Sequence, residues 1–326
     1  MKILERVKVP TGDILTVLGD RNKPLELLSI GDYGKDVNLK CDAMGLSRVP
    51  EQVQHTTMLP LEDKWVITIS SQYGCSMGCN FCDVPKVGPG YNASFDDILD
   101  QIYIGIDLHP EVLSTKRLNI HYARMGEPTW NPSVLEATRE LYYTLDDVRF
   151  PVIHPVVSTM MPKGNKWLLA FLRDWMRLKN DMYEGDAGLQ LSINSTDEDE
   201  RTEMFGGSSL ALSEIYQITK LLPRPIGRKI TLNFAVADYT IDPSVLLRYF
   251  LPSNFIIKLT PMHKTATALA NGIKTDGDYT TYYPYEKHEE QLKAAGYDVL
   301  VFIASKEEDE SRITCGNAIL ATGVLT

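Results

Sequence analysis

The sequence predicts an α/β fold in which a parallel sheet curls into a barrel behind a small β-rich start. Three observations carry that expectation. From Trp65 onward, strand-like and helix-like segments alternate, the pattern of parallel strands joined by crossover helices. The 326 residues are 44% apolar, enough to bury one large core. The residues directly after the strand-like runs bear reactive side chains, cysteines first, and a parallel α/β barrel gathers its active site at those carboxyl ends.

Residues 1 to 60 mix short β-like pieces, Ile14 to Leu18 and Leu25 to Ile30, with Gly, Asp and Asn turns and read as a β-rich extension. Residues 61–304 read as the barrel, with strands at 65–71, 118–123, 152–158, 188–194, 229–236, 255–260 and 298–304. Residues 305–326 read as a C-terminal segment carrying Cys315. The helices between the strands carry start and stop signals. Ser94-Phe95-Asp96-Asp97 has the form of a capping box, with Phe95, Ile98, Leu99 and Ile102 on one face. Asn131-Pro132 and Asp242-Pro243 place a capping side chain before a proline that tolerates the first helical position. Gly296 suits the end of the last helix.

Composition narrows the partners. The net charge of −10 is the wrong sign for gripping a phosphate backbone over the whole surface. Arg224-Pro225-Ile226-Gly227-Arg228-Lys229 offers a local basic patch, or simply a solvated turn before a strand. No apolar run reaches the ~18 residues of a membrane span, and Met1 to Arg6 does not read as a signal peptide. A cytoplasmic protein, monomeric and away from membranes, is expected, and a reducing compartment suits its cysteines.

Three of the five cysteines, Cys75, Cys79 and Cys82, sit in eight residues behind the run Trp65 to Ser70. Thiolates on one short loop suit three corners of an iron–sulfur cubane. A closed zinc site wants four ligands, commonly paired short-spaced cysteines, and there is no second pair. Zinc binding and incidental core thiols are the competing readings, in a non-catalytic sensor for example. With three ligands one iron stays open, which implies chemistry. Cys-x3-Cys-x2-Cys with Phe81 before the last cysteine resembles the signature of the radical S-adenosylmethionine (radical SAM) superfamily. The resemblance implies a partial (β/α)6 radical SAM barrel, a [4Fe-4S] cluster and S-adenosyl-L-methionine as cofactors, and an electron donor such as flavodoxin or ferredoxin.

Further stretches narrow the likeness. Ser70 to Cys75, Met125-Gly126-Glu127-Pro128, Val157-Ser158-Thr159, Leu191-Ser192-Ile193-Asn194 and Thr314-Cys315-Gly316-Asn317 are similar, in order, to the RlmN/Cfr family of radical SAM adenosine methyltransferases. By that resemblance Cys75, Cys79 and Cys82 are cluster ligands, and Gly126 and Glu127 form the turn that holds the SAM amino group. Ser158, Ser192, Asn194 and His263 match SAM-contacting positions, Asn194 in place of a histidine and His263 in place of an asparagine. Glu127 is otherwise a turn or capping residue, and His263 an ordinary loop histidine. Arg124 replaces a glycine and either meets an anionic substrate group or pairs with an acid. Cys315 matches the cysteine whose sulfur is methylated by one SAM. In the family a radical from a second SAM takes hydrogen from that methyl, the carbon radical adds to the base, and a second cysteine releases the product as a disulfide forms.

The chain departs from that pattern where the second cysteine belongs, because Thr68 stands there. Either Cys41 substitutes, or the last step differs, or the enzyme is not a methylase of this kind. Cys41 also reads as a buried small hydrophobe. No stretch matches the family's helical N-terminal RNA-binding domain or its basic C-terminal tail. The expected function is therefore methyl or one-carbon transfer to an adenine-type base, in a nucleotide or RNA, through Cys315. The alternative is a radical SAM enzyme on the same scaffold acting on a protein, peptide or small metabolite. Residues 264–282 read as a long loop, either a lid or a surface insertion.

Overall fold

The computed structural model describes residues 1–33, 58–145, 148–274, 283–302, 311–313 and 319–320. Fourteen strands are defined among them. They are β1 (Lys2–Val9), β2 (Gly12–Leu18), β3 (Pro24–Ile30), β4 (Asp32–Tyr33), β5 (Met58–Leu59), β6 (Trp65–Ile69), β7 (Gln72–Gly74), β8 (Pro89–Asn92), β9 (Leu118–Tyr122), β10 (Ile153–Thr159), β11 (Gly188–Ser192), β12 (Ile230–Val236), β13 (Phe255–Pro261) and β14 (Asp298–Val301). Ten form one sheet in the order β1-β2-β3-β6-β9-β10-β11-β12-β13-β14. β6 and β9 to β14 are mutually parallel, while β3 runs antiparallel to β6, so the first three strands extend the barrel sheet. All seven strands expected from Trp65 onward are present, as the α/β barrel reading requires.

Helices cross over between the parallel strands, and their start signals work as the sequence suggests. In helix Phe95–Asp107 the Ser94 hydroxyl accepts from Asp97 N at 3.0 Å, and Asp97 accepts from Ser94 N at 3.0 Å, a reciprocal cap. Ile98 and Ile102 are fully buried and worth about 1.5–3 kcal/mol each. Asp242 accepts from Ser244 N at 2.8 Å, with Pro243 first in its helix. Asn131 accepts from Ser133 N at 3.1 Å, but helix Ser133–Thr144 begins one residue past Pro132, so the proline precedes the helix rather than opening it. Gly296 follows the last helix, Tyr283–Ala294, at φ +91.

The two faces of the sheet differ. Along β12 and β13 buried and half-buried residues alternate strictly, so Leu232, Phe234, Ile257 and Leu259 join the hydrophobic core. The intervening positions are largely polar and lie beside one another by register: Thr68 with His121, Ser158 with Gln190, and Ser192 with Asn233 and Lys258. Burial beside the cations Lys258, Lys64 and Arg228 and beside His154 pushes the His121 pKa well down, so its imidazole is neutral. No helix among the described residues is long and apolar enough to cross a membrane.

Candidate active site

The cysteine loop is held in a hairpin. β7 and β8 pair antiparallel on either side of residues 75–88, directly after β6. Gly74 and Gly90 let the hairpin close: their φ values are +79 and +83, and a Cβ would lie 2.2 Å from Gly88 O or from Ser76 N, respectively. Cys79 is buried, Cys75 and Cys82 partly so, and none of the three is in a disulfide. Cys75 Sγ accepts from Met77 N at 3.4 Å. Burial pushes the Cys75 thiol up to about 11, with a further push from the Glu127 carboxylate. Burial, with Cys82, Cys75 and Glu127 nearby, drives the Cys79 thiol well above its ordinary range. Cys75, Cys82 and Glu127 thus all press on the charge of Cys79.

Whether these residues suit a cluster follows from that charge balance. Among the described residues no group of three His, Cys, Asp or Glu side chains stands ready to hold a single metal ion. A cubane asks for something else, one thiolate on each of three separate irons. Buried thiols kept protonated by their surroundings are ones that a bound cation ionises outright. Three cysteines on one short loop, Cys79 buried and Cys75 and Cys82 partly so, match the donor number and type that a [4Fe-4S] cluster asks for.

Glu127 sits where the chain leaves β9. Gly126 beside it has φ +99, and a Cβ there would lie 2.6 Å from Gln72 Cβ, so only glycine lets this turn approach β7. The Glu127 carboxylate is 1% exposed and accepts from Thr129 N at 3.0 Å, Thr129 Oγ1 at 2.7 Å and Met160 N at 2.7 Å. Burial raises its pKa in spite of those bonds. Gln72, given no role by the sequence reading, joins the two halves of the site. Its Oε1 accepts from Glu127 N at 3.0 Å and from Ser76 N at 3.4 Å, and its Nε2 donates to Asn92 at 2.9 Å. An uncharged residue between strand and motif carries little signal in a single sequence.

The other candidates line the same end of the sheet. Ser158, the next-to-last residue of β10, accepts from Gln190 Nε2 at 3.2 Å, and Ser192 is the buried final residue of β11. Asn194 is left-handed at φ +61, a conformation asparagine tolerates well, and its Oδ1 accepts from Ala235 N at 3.0 Å. His263 lies half-buried just past β13. Arg124 pairs with an acid: its side chain is 4% exposed, and its Nε donates to the Glu26 carboxylate of β3, which is 0% exposed. Arg124 Nη1 donates to Ile313 O at 3.4 Å, and Glu26 also accepts from Ile319 N at 3.1 Å. Thr68 lies mid-strand, opposite Leu28 and His121. Cys41 and Cys315 fall outside the described residues. The basic run 224–229 precedes β12, at the amino ends of the strands, away from the cysteine loop; Lys229 donates to Asp298 at 2.6 Å.

No protein-family model matches the chain. Its fold is that of the radical SAM barrel: it is similar to a radical SAM methyltransferase from Sphaerobacter thermophilus, with a TM-score of 0.63 and 19% identity over 92% of this chain and 76% of that one. In sequence it resembles the RlmN methyltransferases. It is 26% identical to the dual-specificity RNA methyltransferase RlmN of Campylobacter lari over 249 residues, 76% of this chain and 62% of the relative. It is 25% identical to that of Sorangium cellulosum over 259 residues, 77% of this chain and 61% of the relative. The chain thus spans about three fifths of the length of these relatives.

Proposed function

We propose that this chain is a radical SAM enzyme that transfers a methyl or one-carbon group to an adenine-type base through Cys315. One observation carries the first part of the reading: the cysteine loop, with Cys79 buried and Cys75 and Cys82 partly so, and Glu127 lie at the carboxyl ends of adjacent parallel strands, joined by Gln72, whose Oε1 accepts from Glu127 N and Ser76 N. A bound [4Fe-4S] cluster supplies an electron and an open iron for reductive cleavage of SAM to methionine and a 5'-deoxyadenosyl radical. The chain's residues do the rest. Glu127 accepts the SAM ammonium, while Ser158, Ser192, Asn194 and His263 contact its remaining polar groups from the next strand ends. The cytoplasm, with flavodoxin or ferredoxin as electron donor, suits such a centre. The base-methylating part rests on the likeness to RlmN and on Cys315.

Thr68 favours a second reading. A hydroxyl there cannot form the releasing disulfide, and a radical SAM enzyme on this scaffold can instead act on a peptide, protein or small metabolite. Anaerobic reconstitution tests the common ground: about four irons per chain and SAM-dependent release of 5'-deoxyadenosine are expected, and zinc without iron overturns it. Intact-mass analysis after incubation with SAM and reductant separates the two readings. A methyl group on Cys315 is expected, and its absence under turnover favours the second.

A further inference from the structure

We infer that Asp83, the residue directly after the third cysteine, is a positioning residue that locks the cluster loop to the segment following β13; the inference rests on Cys75, Cys79 and Cys82 being cluster ligands. Asp83 is 6% exposed. Its carboxylate accepts from Thr267 N at 2.9 Å, Ala266 N at 3.3 Å and the Thr267 hydroxyl, and pairs with Lys86 Nζ at 3.1 Å. Two of those donors are the first amides of helix Ala266–Ala270, which have no acceptor inside the helix. An aspartate satisfies them with both oxygens at once.

Neighbouring bonds show that the contact belongs to a larger grip. Thr265 Oγ1 donates to Phe81 O at 2.7 Å, and Asn271 Nδ2 donates to Asn80 O at 2.7 Å. The chain on both sides of Cys82 is therefore tied to 265–271, by backbone carbonyls before it and by the Asp83 side chain after it. From the other flank, Asn80 N donates to Met204 O at 2.8 Å and Asn80 Nδ2 to Glu203 O at 2.6 Å. Met77, Cys79 and Phe81 pack with Met204, Phe205, Met262 and Ala268 between the two flanks. Phe81 and Asn80 contribute through backbone groups or a neutral amide; Asp83 alone brings a charge, and charge-assisted hydrogen bonds are the strong ones. Ligand loss from a cluster requires the loop to open, and opening at Cys82 requires Asp83 to release the helix.

The test has two readouts on the full chain. In the metal-free protein, hydrogen exchange of the peptides covering 75–83 and 265–271 should accelerate about tenfold in Asp83→Ala. In the reconstituted protein, iron release to a ferrous chelator under anaerobic conditions should accelerate about as much. Asp83→Asn, which keeps one acceptor oxygen, should fall between, and Thr267→Val, which removes a hydroxyl alone, should shift both readouts less. Wild-type exchange in both Asp83→Ala and Thr267→Val overturns the lock. Faster exchange with unchanged iron release overturns the positioning role and leaves Asp83 a structural residue. Should the wild-type chain take up no cluster, the proposed function fails while the exchange measurement still decides the lock.

Discussion

At the scale of single residues, Glu127 concentrates the site's demands. A carboxylate offers about four lone-pair positions, and three donors from Thr129 and Met160 occupy part of them. Burial raises its pKa in spite of those bonds and of a further one from Thr159, so the negative charge stays under-compensated. A cationic ligand is what relieves that imbalance. Glu127→Gln keeps the shape and removes the charge, so SAM affinity of the reconstituted protein should fall about tenfold or more, the worth of a charge-assisted bond of ~1.5–3 kcal/mol. Equilibrium dialysis with labelled SAM reads this directly, and an unchanged dissociation constant removes Glu127 from the SAM site.

At the scale of elements, the signals that were legible are the local ones. Ser94 and Asp97 announced their cap because a capping box is complete within four residues. Ser94→Ala should therefore cost about 0.5–2 kcal/mol in urea unfolding, whereas a substitution at the neighbouring exposed Asp96 should cost less. The strands from Trp65 onward were legible for the same reason, since a continuous apolar run as in β6 or a period-two run as in β12 and β13 needs no distant partner to be recognised. What was not legible depends on partners far along the chain. Glu26 meets Arg124 across 98 positions, and nothing near either residue names the other. Residues 264–282 read as a loop because helix Ala266–Ala270 is too short to show periodicity. Its stability comes from Thr265 and Asp83, one local cap and one acceptor 183 positions or more away. In the candidate site the cysteines and Glu127 were visible as a motif, while Gln72 and Asp83 were not, because their work is to join segments rather than to ligate.

At the scale of the whole molecule, the Arg124–Glu26 pair joins three parts of the chain: the antiparallel strands at the start, the exit from β9 and the residues Ile313 and Ile319. Ile313 also packs against Ile14, Leu28, Ile30 and Val66, so the ionic link sits beside an apolar one. Both charges are almost wholly buried, and desolvation takes back much of the attraction between them. Such a pair is expensive to break yet adds little over an apolar replacement. Removing one partner breaks a buried ion pair, and Glu26→Gln or Arg124→Met should each cost about 3–5 kcal/mol. The double variant removes both charges of the pair and should recover much of that loss, giving a coupling energy well outside the ~0.5 kcal/mol within which independent sites add. A double-mutant cycle by urea denaturation measures it. If the single losses simply add, the pair is not a coupled unit, and the attachment of Ile313 and Ile319 to the sheet rests on the apolar contacts alone.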